Sequence, residues 1–143
     1  KNPEHEFGHL WEYPLRSVCT ISTHDMATLR GWWEEDPELT ARYYNHVLGH
    51  WGEVPATAPG EVCEEIIRQH LQCPSLLAIL SFQDWLSMDE ELRYPDANAE
   101  RINVPANPRH YWRYRMHLTL EELMKSHKFN EKMRGMIDET NRY

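Results

Sequence analysis

A chain of 143 residues can form one domain with a moderate hydrophobic core. Its 41% hydrophobic and 27% charged residues are the balance of a globular protein and exclude an intrinsically disordered one. The formal net charge of −8 repels a phosphate backbone and an anionic membrane surface, so neither a nucleic acid nor a membrane is expected as a partner.

The cysteine content and the apolar runs bear on the cellular compartment. Cys19, Cys63 and Cys73 are odd in number and widely spaced, so they form neither a disulfide framework nor a CxxC ligand pair. The longest apolar run, Leu76 to Leu80, is far shorter than a bilayer span, and no charged-then-apolar leader opens the sequence. We therefore expect free thiols, no secretion signal and a cytoplasmic location.

In chain order, the first predicted strand ends in a polar triplet. Residues 1–16 show no hydrophobic period and are predicted to be a loop or linker, and Ser17–Ser22 is predicted to be a strand. Thr23-His24-Asp25 follows, and a short helix is predicted from Met26 to Glu34. Barrels and open sheets carry their chemistry at such carboxyl ends of strands.

The Asp25 carboxylate has a second interpretation at this junction. An aspartate just before a helix is a preferred N-cap, and Asp25 would then accept a hydrogen bond from the free amide of Thr28. The sequence leaves the catalytic and the capping interpretation open.

The middle of the chain predicts two further helices and a second strand. Pro37 suits a first helical position, and apolar residues follow at helical spacing as far as Trp51. After a break at Gly52–Pro59, an amphipathic helix is predicted from Gly60 to Pro74. The continuous apolar run Leu76–Phe82 is typical of a strand buried on both faces in a parallel sheet.

The last third predicts a long loop and a helical segment. Asp89–Tyr111 contains three prolines and no period, and Thr119-Leu-Glu-Glu122 is a capping box that begins a helix. The organisation is thus two strands with helices over 17–88, a long loop over 89–117 and a C-terminal helical segment over 118–143. The chain is thus predicted to be a mainly helical α/β piece with two parallel strands. Two strands are too few to complete a parallel sheet, so we expect the chain to be part of a larger protein.

Metal ligation is not predicted. His46 and His50 stand four apart on a predicted helix, but the residues between them lack the glutamate of a zincin and no third ligand is evident. His5 and His9 share that spacing in a predicted loop, a weaker signal still.

Four motifs together carry a family resemblance that covers Tyr13 to Leu123. They are, in order, Thr23-His24-Asp25-x-x-Thr28-Leu29-x-Gly31-Trp32-Trp33, Gln83-Asp84-Trp85-Leu86, Arg101-Ile102-Asn103-Val104-Pro105 and Tyr111-Trp112-Arg113. This chain resembles the C-terminal part of amylomaltase-type 4-α-glucanotransferases, the disproportionating enzyme family.

The resemblance implies a fold and an activity for the parent protein. The fold would be a (β/α)₈ TIM barrel, of which this chain supplies the last two βα units. The parent would move α-1,4-glucan segments of maltooligosaccharides, starch or glycogen from donor to acceptor by retaining double displacement, without metal or organic cofactor. The nucleophilic aspartate and the acid/base glutamate would lie upstream in the missing N-terminal part of the barrel, so the fragment alone is expected to be inactive.

The resemblance also implies roles for individual residues. Asp25 matches the carboxylate that stabilises the transition state, and His24 matches a hydrogen-bond donor to the same sugar ring. The expected substrate contacts are Trp32, Asn103 and Gln83.

Other residues of the motifs have structural interpretations. Asp84 is expected to cap and hydrogen-bond the strand end, and Arg101 and Arg113 are expected to hold the long loop through carboxylate pairs. Ala106 follows Pro105 where the family has Gly-Thr, so the loop differs in permitted backbone shape.

Two functions without catalysis compete with this hypothesis. One is a carbohydrate-binding module in which Trp32, Trp33 or Trp112 stacks on glucose rings. Such modules are usually β-sandwiches, whereas the periodicity here is mostly helical. The other is a plain helical interaction module in which His24-Asp25 is only a cap.

Overall fold

A computed structural model describes residues 5–142 of the chain. Six α-helices and one two-stranded sheet account for its regular structure, together with 3₁₀ turns at Leu10–Glu12 and Ala97–Glu100. The helices are α1 (Leu29–Glu35), α2 (Pro37–His46), α3 (Gly60–Gln72), α4 (Phe82–Leu86), α5 (Leu120–Lys125) and α6 (His127–Glu139). The strands are β1 (Val18–Cys19) and β2 (Leu77–Ala78).

The two strands run parallel, as predicted, but they are much shorter than predicted. Val18 pairs with Leu77 and Cys19 with Ala78, and the regular pairing ends there. The chain bends at Ile21 after β1, where the Thr20 hydroxyl donates to the Ser22 carbonyl oxygen at 2.7 Å. The Ser81 side chain caps α4 directly after the second strand.

The prediction that Leu76–Phe82 is buried on both faces is wrong for this chain. Leu76, Leu77 and Ile79 are 52–65% exposed. Within residues 5–142 the sheet has only these two strands, so no further strand or helix layer covers these side chains. Parallel sheets normally have both faces covered. Two parallel strands whose apolar side chains are exposed to water therefore form an incomplete sheet.

The hydrophobic core surrounds α3. One face of that helix buries Val62, Cys63, Ile66, Ile67 and Leu71, which confirms the predicted amphipathic pattern. Trp33 of α1 and Phe129 of α6 pack into the same cluster. Each fully buried side chain of this size contributes about 1.5–3 kcal/mol to folding. This core fixes α1, and therefore the loop before it.

The helix ends follow local sequence signals. α2 begins at Pro37, as predicted, because the Asp36 carboxylate accepts hydrogen bonds from the amides of Glu38 and Leu39 at 3.1 and 3.0 Å. The Thr119–Glu122 capping box is also present as predicted. α2 ends at His46 rather than at Trp51, and Gly49 with φ of +73° turns the chain away.

The long loop is irregular but tied down. The Arg93 guanidinium donates to the carbonyl oxygens of Ala58 and Ser87 at 2.8 and 3.1 Å, which joins the loop to the start of α3 and the end of α4. Cys19, Cys63 and Cys73 are free, as expected, and all three are buried. None of the described helices is long and apolar enough to cross a bilayer.

Candidate functional site

The polar triplet lies in the loop between β1 and α1. α1 begins at Leu29, three residues later than predicted, and its N-cap is Thr28, whose hydroxyl accepts from the Gly31 amide at 3.3 Å. The interpretation of Asp25 as the helix N-cap is therefore wrong. Both residues can cap a helix, and the bend at Thr23–Met26 leaves Asp25 outside it.

The Asp25 carboxylate is held from two sides. One oxygen, Oδ1, accepts a hydrogen bond from the Asn103 side-chain amide at 2.6 Å, and the other, Oδ2, lies 3.4 Å from His24 Nε2. The side chains of His24 and Asp25 are 54% and 53% exposed. Asp25 is therefore fixed in orientation and still open to a ligand.

The long loop brings an aromatic side chain to the same place. The Trp112 ring lies against the His24 ring, with centroids 5.3 Å apart and an interplanar angle of 50°. Trp112 remains 62% exposed, and the neighbouring Arg113 guanidinium lies over the Tyr111 ring at 4.9 Å. An apolar ring face thus borders the carboxylate and the imidazole.

Arg101 fixes the backbone that carries Asn103. Its Nε donates to the Asn103 carbonyl oxygen at 3.1 Å, and its Nη1 donates to Glu35 at the end of α1 at 3.0 Å. The expectation that Arg101 holds the loop through a carboxylate is confirmed. For Arg113, the described contact is with the Tyr111 ring rather than with a carboxylate.

Asp84 anchors the two ends of the β1–α1 loop. Its Oδ1 accepts a hydrogen bond from the Leu29 amide at 2.8 Å, and its Oδ2 accepts one from the Ser22 hydroxyl. Asp84 is fully buried. The structural role expected for this carboxylate is confirmed, and it sets the path of the six residues that include His24 and Asp25.

A buried ion pair lies behind this loop. Arg30 and Glu100 are 3.2 Å apart with side chains 6% and 1% exposed, and Arg30 also donates to the carbonyl oxygens of Tyr94 and Pro95 at 2.6 and 3.2 Å. The pair joins α1 to the loop that carries Asn103. Sequence reasoning missed it, although a charged residue within Leu29–Trp33 was a signal.

Glu100 makes the stability of this junction dependent on pH. Burial raises the pKa of Glu100 to about 7, the nearby Asp84 carboxylate acts in the same direction, and Arg30 opposes both. The pKa in the folded state lies above the ordinary value of 4.5, so the folded protein is more stable when the Glu100 carboxyl is protonated. This contribution to stability is complete below about pH 4.5 and is lost as the pH rises through 7.

We expect Glu100→Gln to remove this pH dependence. Between pH 5 and 8, the free energy of unfolding should fall by about 2.5 kcal/mol more in the wild type than in the variant. Urea unfolding at several pH values measures both. Parallel pH profiles for the two proteins would contradict the assignment.

Trp32 lies beside the β1–α1 loop that carries Asp25, whereas Gln83 lies in the interior. Trp32 is half-buried, packs edge-on against Tyr43 at 5.2 Å and lines a cleft of about 420 Å³ with Met26 and Arg101. Gln83 is 5% exposed, and its amide donates to the Glu100 carbonyl oxygen at 3.4 Å. Of the residues expected to touch substrate, Asn103 alone bonds Asp25 in the part of the chain that is described.

His46 ends α2 and His50 lies after it, so the two histidines do not share the helix that the sequence predicted. The His46 ring packs edge-on against Trp51, whereas His50 Nε2 lies 2.6 Å from a carboxylate oxygen of Glu65 and its ring stacks on Tyr44. No group of three ligands includes either histidine within residues 5–142.

Comparison with known families identifies the class of protein. Residues 1–120 match the model of glycoside hydrolase family 77, which is described as 4-alpha-glucanotransferase. The match covers most of the chain, including the β1–α1 loop and the long loop. This chain belongs to the 4-alpha-glucanotransferase family.

Individual relatives agree with this membership. The chain is 38% identical over 140 residues to the 4-alpha-glucanotransferase DPE2 of Oryza sativa subsp. japonica, covering 98% of this chain and 15% of that protein. It is 30% identical over 125 residues to a 4-alpha-glucanotransferase of Chlamydia pneumoniae, covering 87% of this chain and 23% of that protein. The chain therefore spans less than a quarter of the length of either.

A solved structure shares the fold. The amylomaltase from Streptococcus agalactiae, determined in complex with acarbose, superposes with a TM-score of 0.64 at 21% identity. The superposition covers 91% of this chain and 23% of that one. In that structure, the region that matches this chain is less than a quarter of the whole.

Proposed function

We propose that residues 1–143 are the C-terminal portion of a glucanotransferase catalytic barrel and form the last two βα units of a (β/α)₈ fold. The exposed apolar residues of the parallel strands support this arrangement, since neighbouring strands and helices would cover them. The match to less than a quarter of each relative supports it independently. On this proposal the missing N-terminal part of the barrel is the main protein partner of the surface around β1 and β2.

The proposed activity is transfer of an α-1,4-glucan segment between maltooligosaccharides or longer starch and glycogen chains. One observation carries it: a half-exposed carboxylate is held between an amide and an imidazole in the loop that follows a parallel strand. In a retaining transfer, positive charge builds up on the sugar ring at the transition state. Asp25 would stabilise that charge, and His24 would donate a hydrogen bond to the same ring.

The other proposed site residues act around this pair. Asn103 orients Asp25 by donating to Oδ1, and Trp32 offers a ring face to glucan in the neighbouring cleft. Gln83 is buried, so its contribution would be to hold the Glu100 backbone. No metal or organic cofactor takes part, since a carboxylate nucleophile and an acid/base from the upstream part supply the chemistry. The three free thiols support a cytoplasmic setting.

The test is maltotriose disproportionation by the chain extended upstream through the rest of the barrel. Glucose should appear together with maltopentaose and longer glucans, which chromatography of the sugars would resolve. The 143-residue chain alone should give no product, because the nucleophile and the acid/base are absent from it. Production of glucose and maltose by hydrolysis alone in the extended protein would refute the transferase proposal.

A further inference from the structure

Two histidines and a glutamate lie close together near the start of the described chain. None of the three belongs to the proposed glucan-binding residues around His24 and Asp25. His5, His9 and Glu12 each place one ligand atom within 4.8 Å of the others. The His5 and His9 rings lie edge to face with centroids 4.3 Å apart. The sequence spacing of the two histidines does not indicate a third ligand. In the folded loop, Glu12 takes that place.

The backbone of this segment is held in place independently of any ion. Between the two histidines, the Glu6 carboxylate accepts three hydrogen bonds from the Arg42 guanidinium at 2.8–3.1 Å. Phe7 packs edge-on against Tyr43, with centroids 5.2 Å apart. The Glu12 amide donates to the His9 carbonyl oxygen at 3.0 Å, which fixes the third ligand relative to the second.

We propose that His5, His9 and Glu12 bind a divalent transition-metal ion of the zinc type. Two imidazole nitrogens and one carboxylate oxygen form a three-ligand set that Zn²⁺ accepts, with a fourth position open to water. Bond lengths of about 2.0–2.2 Å bring ligand atoms to about 3.3 Å from one another, so the side chains must close by about 1.5 Å at most. His5 and Glu12 are exposed, and such movements need only rotamer changes.

The ion would join residues 5–12 into a closed loop against α2. Because it binds the folded arrangement of the three ligands, it would stabilise the segment increasingly, with the logarithm of its concentration once that exceeds the dissociation constant. This site does not depend on the proposed glucan transfer, and its failure would leave that proposal untouched.

The test uses zinc alone as the probe and compares variants of the protein extended through the rest of the barrel. The wild type should bind one more Zn²⁺ per chain in equilibrium dialysis than His9→Gln does. Loss of a residue that only hydrogen-bonds to a metal ligand typically weakens metal binding by about 10–100-fold. Removing a direct ligand should weaken zinc binding at this site by more than that. Glu12→Gln should also weaken it, and His127→Gln, an exposed histidine on α6, should not.

A second readout keeps the result independent of folding. With Co²⁺ in place of Zn²⁺, the visible absorption of the wild type should exceed that of His9→Gln and equal that of His127→Gln, while circular dichroism shows the same helix content for all three. Equal zinc stoichiometry in the wild type and His9→Gln, or an equal loss in His127→Gln, would overturn the site. An ion bound with the same affinity by every variant would belong elsewhere in the protein.

Discussion

Asp25→Asn in the extended protein should lower the rate of maltotriose disproportionation by at least about 10²–10³-fold while the fold stays intact. The substitution removes the negative charge and keeps the shape of the side chain. An asparagine oxygen still accepts the Asn103 hydrogen bond of 2.6 Å, so the loop has little reason to move. On the proposed mechanism, the positive charge that develops on the sugar ring would lose the anion that stabilises it.

The control for Asp25→Asn is Asp36→Asn, since Asp36 is also exposed but its carboxylate accepts hydrogen bonds from backbone amides at the start of α2. The Asp36 variant should lose at most about 1 kcal/mol of stability and keep its rate, because asparagine also caps helices. Initial rates by chromatography and thermal unfolding measure both quantities. If Asp25→Asn retained a rate within about threefold of the wild type, Asp25 would be a structural residue of the loop and the proposed role would fail.

Helix boundaries were predictable wherever a few neighbouring residues decide them. Pro37 begins α2, and Thr119 with Glu122 forms a capping box, because each signal is complete within one turn. The strands were predicted too long and too buried, because burial depends on covering layers that are absent from residues 5–142. Leu76–Phe82 looks like a central strand, yet only Leu77–Ala78 pairs regularly.

The candidate site was predictable in its location but not in its connections. The polar triplet at the end of the first strand predicted where His24 and Asp25 stand. The partner of Asp25 is Asn103, 78 residues further along the chain, and no local pattern predicts that hydrogen bond. The resemblance supplied Asn103 as a substrate contact, and the structure adds that it holds the carboxylate. The Arg30–Glu100 pair was missed for the same reason, since its members are distant in sequence.

The second large effect is expected at Asp84, which supports the site without standing in it. Asp84→Ala should lower the free energy of unfolding by about 3–6 kcal/mol, because hydrogen bonds to a charged group are worth about 1.5–3 kcal/mol each and two are lost. The Leu29 amide and the Ser22 hydroxyl would then remain buried without this acceptor. Urea unfolding of the variant and the wild type measures the difference.

The variant Asp84→Asn tests whether Asp84 positions the β1–α1 loop for catalysis, apart from its contribution to overall stability. The asparagine oxygen keeps the bond from the Leu29 amide, and its NH₂ group faces Ser22, whose hydroxyl oxygen can accept it. Stability should therefore fall by less than in Asp84→Ala, whereas the path of Thr23–Thr28 should shift and lower kcat in the extended protein. The matched control is Asp96→Asn, an exposed carboxylate that accepts from the Asn98 amide at 2.9 Å and should leave kcat unchanged. Since Asp84 meets both ends of the loop, equal kcat for Asp84→Asn and Asp96→Asn would show that Asp25 keeps its position without this anchor.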